Sequence, residues 1–312
     1  MELLNVQNAK KYFPVGKEIL KAVDDVSFSV GGAEVFGLVG ESGCGKSTLG
    51  KLILKLIEPT GGKIIFDGID VVKAHRQDLA KVRRGLQIIF QDPLASLNPR
   101  KRVLDAVGEA LIINRIVTRR EVKERAAYLL EKVGLNADSL YKYPHEFSGG
   151  QRQRICIARA LAVNPKMIVA DEPLSALDVS IQAQILNLLE DLRKDSGLAF
   201  LFISHNLQAI AHFSDTAAVM YLGKIVEMSP SAELFNGPMH PYTEALLSDV
   251  PKPEVGGKRE KIILRGDVPS PIHVPPGCPF HPRCHRRFGP CDTVVPVYKE
   301  AKPGRWVSCH LW

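Results

Sequence analysis

Short apolar runs alternate with amphipathic segments along most of the chain. Four of these runs predict buried strands at 35–39, 86–90, 167–171 and 198–204. After the first run, apolar residues recur at helical spacing: Leu49, Leu52, Ile53 and Leu56. Buried strands that alternate with helices are typical of a mainly parallel sheet covered by helices, so the pattern predicts an α/β fold.

Three other regions depart from this alternation. Segments 19–30 and 62–68 predict antiparallel strands, and amphipathic segments 104–115 and 121–135 predict a helical insert between the second and third buried strands. Residues 249–277 are rich in proline and glycine, which argues against a second packed α/β core. We therefore expect a main domain over residues 1–228 and a small extension over 229–312.

Composition and charge indicate the cellular compartment of the protein and the kinds of partner it suits. The chain has 312 residues, of which 45% are hydrophobic and 24% charged, with a formal net charge of +7. No apolar run approaches the roughly 18 residues of a membrane span, and the N-terminus lacks the pattern of a signal peptide. These features predict a cytoplasmic location, in which disulfides are improbable. The positive charge suits acidic partners such as nucleotides, but it equally serves solubility.

The first chemical motif follows the apolar run 35–39. It has the form Gly-x4-Gly-Lys-Ser, and strand, glycine loop and helix occur in the order that a phosphate-binding loop requires. Its glycines let backbone N–H groups surround a phosphate, Lys46 neutralises phosphate oxygens, and Ser47 can ligate Mg²⁺. The predicted nucleotide-binding residues here are Gly40, Ser42, Gly43, Cys44, Gly45, Lys46, Ser47 and Thr48. We also expect the helix end to lower the pKa of Cys44 and make its thiol reactive.

Two carboxylates end the apolar run 167–171. Asp171 can hold Mg²⁺ through water, and Glu172 can orient or deprotonate an attacking water. Nothing in the sequence resembles a pocket for a phosphoryl acceptor, so the pattern favours phosphate hydrolysis over phosphoryl transfer.

A second glycine motif lies in "FSGGQRQRICIARALAVNP", residues 147–165. A serine and two glycines before an apolar helix form another anion-binding helix end. With the two preceding motifs, this stretch resembles the signature of ATP-binding subunits of ABC transporters, with Phe147 where leucine is usual. The resemblance implies that two cassettes dimerise head to tail and hold each ATP between the phosphate loop of one and the signature of the other. It assigns nucleotide contacts to Ser148, Gly149, Gly150 and Gln151.

Further positions match the same family. Gln91 would sense Mg²⁺ and water and face the membrane subunit, Asp178 would lie at the dimer seam, and His205 would contact the γ-phosphate. Tyr12 would stack on adenine, although the neighbouring Phe13 also offers an aromatic face. The implied fold is a P-loop NTPase cassette with an antiparallel β subdomain that cradles base and ribose. A helical subdomain at about 92–160 would receive a coupling helix of the membrane partner.

Local phrases resemble the dipeptide/oligopeptide importer branch, and in particular the F-type of its two paired ATPase subunits. They are "FQDPLASLNPR" (90–100), "HPYTEALLSDVP" (240–251), "LRGDVPSPIHVPPGCPFHPRC" (264–284) and "WVSCH" (306–310). The resemblance implies a D-type partner ATPase, with a homodimer as the alternative, two membrane permeases and an extracytoplasmic solute-binding protein. It places the chain peripherally on the cytoplasmic face of the membrane. Nickel or oligosaccharide cargo stays open, as does a soluble ABC ATPase acting on nucleic acid, which the single cassette disfavours.

Four cysteines cluster near the C-terminus: Cys278, Cys284, Cys291 and Cys309. In a reducing compartment this set favours a metal over disulfides. The two short spacings are longer than those of zinc knuckles, and some members of the importer branch carry an iron–sulfur cluster, so we expect a [4Fe–4S] cluster. Zinc held by three of the cysteines and one histidine is the alternative, with His281, His285 and His310 as candidates. Arg283, Arg286 and Arg287 could offset the charge of such a cluster or form a solvated basic face.

Overall fold

Two β-sheets frame the chain in this computed structural model, which describes residues 2–249 and 262–312. The strands are β1 (Glu2–Val15), β2 (Glu18–Gly31), β3 (Val35–Val39), β4 (Gly61–Phe66), β5 (Ile69–Asp70), β6 (Leu86–Ile89), β7 (Met167–Asp171), β8 (Ala199–Ile203), β9 (Thr216–Tyr221), β10 (Lys224–Pro230), β11 (Lys299–Lys302) and β12 (Arg305–Val307). Residues 250–261, part of the stretch predicted to be irregular, lie outside the described residues.

Ten α-helices accompany these strands within the described ranges. They are α1 (Lys46–Ile53), α2 (Arg76–Gly85), α3 (Pro93–Ser96), α4 (Val103–Ile113), α5 (Val122–Lys132), α6 (Gly149–Leu161), α7 (Val179–Ser196), α8 (Leu207–Phe213), α9 (Ser231–Asn236) and α10 (Pro241–Ser248). Short 3-10 helices lie at Ala137–Tyr141, Pro144–Glu146, His281–Arg283 and Gly289–Asp292. None of the helices in the described part of the chain is long and apolar enough to cross a membrane.

The large sheet has the strand order β11-β12-β10-β9-β3-β8-β7-β6. Strands β9, β3, β8, β7 and β6 run parallel, and every residue of β3, β7 and β8 is buried. This explains their continuous apolar sequences, because parallel strands are covered on both faces. The carboxyl ends of β3 and β7 therefore lie near each other at one edge, where the sequence places the phosphate loop and the two carboxylates.

The small sheet has the order β2-β1-β4-β5, and all of its pairings are antiparallel, as the sequence predicts. Helices α4, α5 and α6 pack on one another and form most of the helical insert. The expected combination of a mainly parallel sheet, an antiparallel sheet and a helical insert is thus confirmed.

The C-terminal region joins the large sheet. Strand β12 pairs antiparallel with β10, with Glu227 opposite Val307. The buried Glu227 carboxylate accepts backbone N–H groups of Met239 and His240 at 2.7 and 2.9 Å, and it lies 3.9 Å from Arg305 of β12. A buried carboxylate needs such partners, so these contacts fix the start of α10 and the position of β12 against the cassette.

Candidate nucleotide-binding site

The phosphate loop connects β3 to α1, as its sequence predicts. Gly45 has a φ of 110°, and a Cβ there would lie 2.1 Å from the carbonyl oxygen of Ala22. Only glycine fits this position, since an L side chain would meet both backbone strain and a backbone clash. Lys46 begins α1 and is nearly buried, and its Nζ donates to the carbonyl oxygens of Gly40 and Glu41 at 2.8 and 3.0 Å. The loop thus holds the ammonium group over its own ring of backbone atoms.

A cleft of about 310 Å³ opens beside this loop. The described residues that line it are Phe13, Leu20, Lys21, Ala22, Ser42, Gly43, Gly45, Lys46, Ser47, Thr48, Gln91, Glu172, Gly223 and Pro271. Six of the eight predicted loop residues therefore face the cleft. Gly40 and Cys44 belong to the loop but do not line the cleft.

Asp171, the last residue of β7, meets the start of α1. The Ser47 hydroxyl donates to its Oδ1 at 2.8 Å, and the carboxylate is largely buried. Burial raises the pKa of Asp171, the Ser47 hydrogen bond opposes this rise, and the charge of Glu172 adds to it. A hydroxyl and a carboxylate at this spacing are oxygen donors of the kind that Mg²⁺ prefers.

Glu172 contacts both of the other predicted catalytic residues, Gln91 and His205. Gln91 Nε2 donates to its Oε2 at 3.1 Å, and His205 Nδ1 lies 3.2 Å from the same oxygen. Gln91 follows β6 and His205 follows β8, so three loops at the carboxyl edge of the sheet bring these side chains together. The arrangement can hold a carboxylate in one orientation at the wall of the cleft.

The prediction of a reactive Cys44 is wrong. The side chain is 4% exposed, and burial raises the pKa of its thiol although the charge and hydrogen bonds of Lys46 act in the opposite sense. Desolvation therefore outweighs the positive end of the helix, because the thiol points into the core rather than toward the phosphates.

The structure distinguishes the two candidate adenine-stacking residues. Phe13 lines the cleft, whereas the Tyr12 hydroxyl donates to Asp24 Oδ1 on β2 at 2.5 Å. Burial and this hydrogen bond raise the pKa of Tyr12 to about 12. The pairing of β1 with β2 shifts register between Lys11 and Tyr12, which the apolar pattern does not show.

The signature residues lie at the N-terminus of α6. Ser148 caps this helix, since its Oγ accepts the Gln151 backbone N–H at 3.3 Å, and Gln151 Oε1 accepts the Ser148 N–H at 3.1 Å. Ser148, Gly149 and Gln151 are exposed, and none of them lines the cleft. Gly150 is buried, and a Cβ there would lie 2.5 Å from Ile181 of α7. Asp178 lies at the N-cap position of α7 without a side-chain capping hydrogen bond, and it is exposed.

The four C-terminal cysteines line one small cavity together with His240, His281, His310 and Arg286. All four are free thiols. Burial raises the pKa of Cys278 to about 11, and nearby cysteines add to the rise. Among the described residues, however, no three His, Cys, Asp or Glu side chains are arranged to hold a metal ion. The three arginines each pair with a carboxylate: Arg283 with Glu41, Arg286 with Glu244 and Arg287 with Asp292.

Two residues that the motifs do not identify reach the phosphate loop. The buried Tyr242 hydroxyl accepts the Glu41 backbone N–H at 3.0 Å, and Arg283 binds both carboxylate oxygens of Glu41 at 2.7 and 2.9 Å. Both belong to phrases that mark the importer branch, but no spacing rule connects residues 242 and 283 with residue 41.

This combination of a glycine loop, a buried acidic strand end and a second carboxylate on a parallel sheet defines a P-loop nucleotide-binding cassette. Residues 23–175 match the ABC transporter family, and residues 226–291 match the family described as oligopeptide/dipeptide transporter, C-terminal region.

Individual proteins agree with this class. The chain is 49% identical over 320 residues to the oligopeptide transport ATP-binding protein AppF of Bacillus subtilis (strain 168). The matched region covers 99% of this chain and 97% of AppF. It is 46% identical over 313 residues to the dipeptide transport ATP-binding protein DppF of Escherichia coli (strain K12), covering 98% and 93% of the two chains. A dimeric post-hydrolysis structure of the ATP-binding cassette MJ0796 with ADP and Pi matches with 30% identity and a TM-score of 0.67, over 73% of this chain and 98% of that one. The chain therefore belongs to the ATP-binding subunits of oligopeptide/dipeptide ABC transporters, as the resemblance of its motifs implies.

Proposed function

We propose that this chain hydrolyses ATP to power the import of dipeptides or oligopeptides through an ABC transporter. The observation that carries the proposal is the cleft in which Lys46, Ser47 and Glu172 converge, in a chain that matches AppF over 99% of its length. The assignment of peptides as the cargo rests on the similarity to AppF and DppF. Nickel and oligosaccharides are the alternative cargoes that an experiment has to separate.

The polar residues in and beside the cleft have distinct tasks in this proposal. Lys46 and the loop N–H groups bind the phosphates, while Ser47, Asp171 and Gln91 would hold Mg²⁺. When bound, Mg²⁺ neutralises charge on the β- and γ-phosphate oxygens. Glu172 orients and deprotonates the attacking water, and Gln91 and His205 fix the orientation of its carboxylate.

A second cassette completes the site. The signature residues Ser148, Gly149 and Gln151 are exposed and lie outside the cleft of their own chain, and Asp178 is exposed at the start of α7. We infer a head-to-tail dimer with a D-type ATPase, in which these residues contact the nucleotide of the partner; a homodimer is the alternative. Two permeases bind the helical subdomain, a solute-binding protein delivers cargo from outside, and the chain sits peripherally on the cytoplasmic face. Residues 1–228 form the cassette in this proposal, and residues 229–312 form its C-terminal extension.

A [4Fe–4S] cluster is our proposal for the four-cysteine cavity. The support is the donor set, because four thiols converge on one cavity and four cysteines are the usual ligands of such a cluster. When bound, the cluster would link four positions of a segment poor in apolar residues and so stabilise its fold.

Reconstitution tests the transport proposal. The chain is combined with its permeases and a candidate D-type subunit in vesicles, and peptide uptake is measured with and without ATP. We expect uptake that requires ATP and the intact chain, and no uptake with Glu172→Gln. Uptake of nickel or an oligosaccharide in place of peptides would refute the cargo, and ATPase activity that needs DNA or RNA but no permease would refute the transporter assignment.

Anaerobic purification tests the cluster. Iron, acid-labile sulfide and zinc are measured on the same sample of the wild type and of Cys278→Ser, with Cys156→Ser as the control in the buried signature helix. We expect about four irons and four sulfides per chain in the wild type and the control, and a loss in Cys278→Ser. Zinc without iron, or a folded protein without either metal, would contradict the cluster.

A further inference from the structure

The phosphate loop carries one acidic side chain, Glu41, directly after its first glycine. Its backbone belongs to the loop, since its carbonyl oxygen accepts the Lys46 ammonium group at 3.0 Å. Its side chain is not part of the cleft wall and instead faces the C-terminal region. A carboxylate so close to a triphosphate site repels the ligand unless another charge compensates it.

Arg283 supplies that charge. Its two terminal nitrogens bind the two oxygens of Glu41 at 2.7 and 2.9 Å, and its side chain is 7% exposed. A two-point pair of this kind fixes the direction of both groups, and burial shields it from salt. The partners are 242 residues apart in the chain.

Packing on the side of Arg283 away from Glu41 fixes the position of this arginine. Arg283 ends the short 3-10 helix His281–Arg283, next to Cys284, and the buried Phe280 before this helix packs on Tyr221 and Tyr242. The Tyr242 hydroxyl in turn accepts a hydrogen bond from the Glu41 N–H group. Two residues of the C-terminal region, Tyr242 and Arg283, therefore bind one residue of the loop.

We infer that Arg283 is a positioning residue of the ATP site, which neutralises Glu41 and keeps its carboxylate directed away from the nucleotide. This inference rests on the proposed ATP site. It makes the cysteine-rich segment part of the machinery that binds ATP, although no atom of Arg283 lines the cleft.

The test is a charge-rescue experiment on the full chain, with a fluorescent ATP analogue and Mg²⁺ as the probe. Arg283→Gln removes the positive charge beside Glu41 and leaves only the Tyr242 hydroxyl, 3.4 Å from its Oε2, and we expect about tenfold weaker binding. Glu41→Gln removes the repelling charge, so the double variant should return to within about threefold of the wild type. High salt should shrink the defect of Arg283→Gln because the Glu41 carboxylate, 26% exposed even in the pair, is open to screening once the arginine is gone.

Arg287→Gln is the matched control, because this arginine lies in the same segment and pairs with Asp292 at the surface. We expect it to bind the analogue like the wild type. Wild-type affinity of Arg283→Gln, or a double variant at least as weak as Arg283→Gln, would overturn the inference, since a merely structural role gives no rescue by Glu41→Gln.

Two further variants keep the outcome decisive. If Arg283→Gln shows no cooperative thermal unfolding, it is replaced by Arg283→Lys, which keeps the positive charge. Affinity of Arg283→Lys for the ATP analogue within about threefold of the wild type supports the inference. A tenfold loss of that affinity contradicts it. Lys46→Ala separates this inference from the proposed function. A wild type that binds no better than Lys46→Ala refutes the ATP site itself, whereas an unaffected Arg283→Gln in a chain that binds ATP refutes only the role of Arg283.

Discussion

The phosphate loop and the four-cysteine cavity are built in different ways. The loop gathers its groups from nine consecutive residues, 40–48, and shapes them with backbone geometry between one buried strand and one helix. The cavity draws on residues from 240 to 311, and its shape depends on side-chain packing and on the pairing of β12 with β10. The order of residues alone therefore identifies the loop, whereas for the cavity the sequence indicates the four cysteines but not the packing that brings them together.

Substitutions in the two regions should differ most in their effect on the rate of ATP hydrolysis. Glu172→Gln keeps the size of the side chain and its place beside Gln91 and His205 but removes the base, so we expect a loss of about 10³-fold in the ATPase rate. Binding of ATP should change less than about threefold. Cys278→Ser in the cavity should lower the rate by less than about tenfold. A similar loss in both variants would mean that the cavity takes part in the chemistry.

The second-largest effect should be the loss of nucleotide affinity when Lys46 is replaced. Lys46→Ala removes the ammonium group held over the loop, and we expect affinity for MgATP to fall by about 100-fold or more. Titration with a fluorescent analogue measures this, with Lys63→Ala on the exposed side of β4 as the control. Wild-type affinity of Lys46→Ala would show that this loop does not bind the phosphates.

Two glycines test whether backbone geometry shapes the loop. Gly45→Ala meets a backbone oxygen at 2.1 Å, whereas Gly43 has a φ of 79° with open space around its Cβ position. We expect Gly45→Ala to lower the free energy of unfolding by about 3 kcal/mol and Gly43→Ala by about 1 kcal/mol. Denaturant unfolding without nucleotide measures both, and equal losses would argue against the clash.

The smallest effect concerns the base. Phe13→Ala should weaken ATP binding by about tenfold, because stacking on a base is worth roughly 1–3 kcal/mol. Tyr12→Ala should have less effect, since its hydroxyl is bound to Asp24. The reverse order would restore Tyr12 as the stacking residue, as the family pattern implies.

Particular residues show what the sequence can predict. The strand–loop–helix order predicts Lys46 and Ser47, and the end of an apolar strand predicts Asp171 and Glu172, because parallel strands carry their carboxyl ends to one edge. His205 is predicted only by the family resemblance. The burial of Cys44 depends on the direction of one side chain, and Phe13 rather than Tyr12 lines the cleft next to a register shift between Lys11 and Tyr12. The contact of Arg283 with Glu41 depends on the complete fold, since neither residue carries a local signal of the other.

The pairing of Arg283 with Glu41 also has a consequence in time. A ribosome completes Glu41 early and reaches its counter-charge only after another 242 residues. At synthesis rates of about 5–20 residues per second, this interval is on the order of 10–50 seconds. During that period Glu41 lacks the arginine that pairs with it in the folded chain. If Arg283 positions Glu41 as inferred above, the nucleotide site reaches its final geometry only after the C-terminal segment has been made.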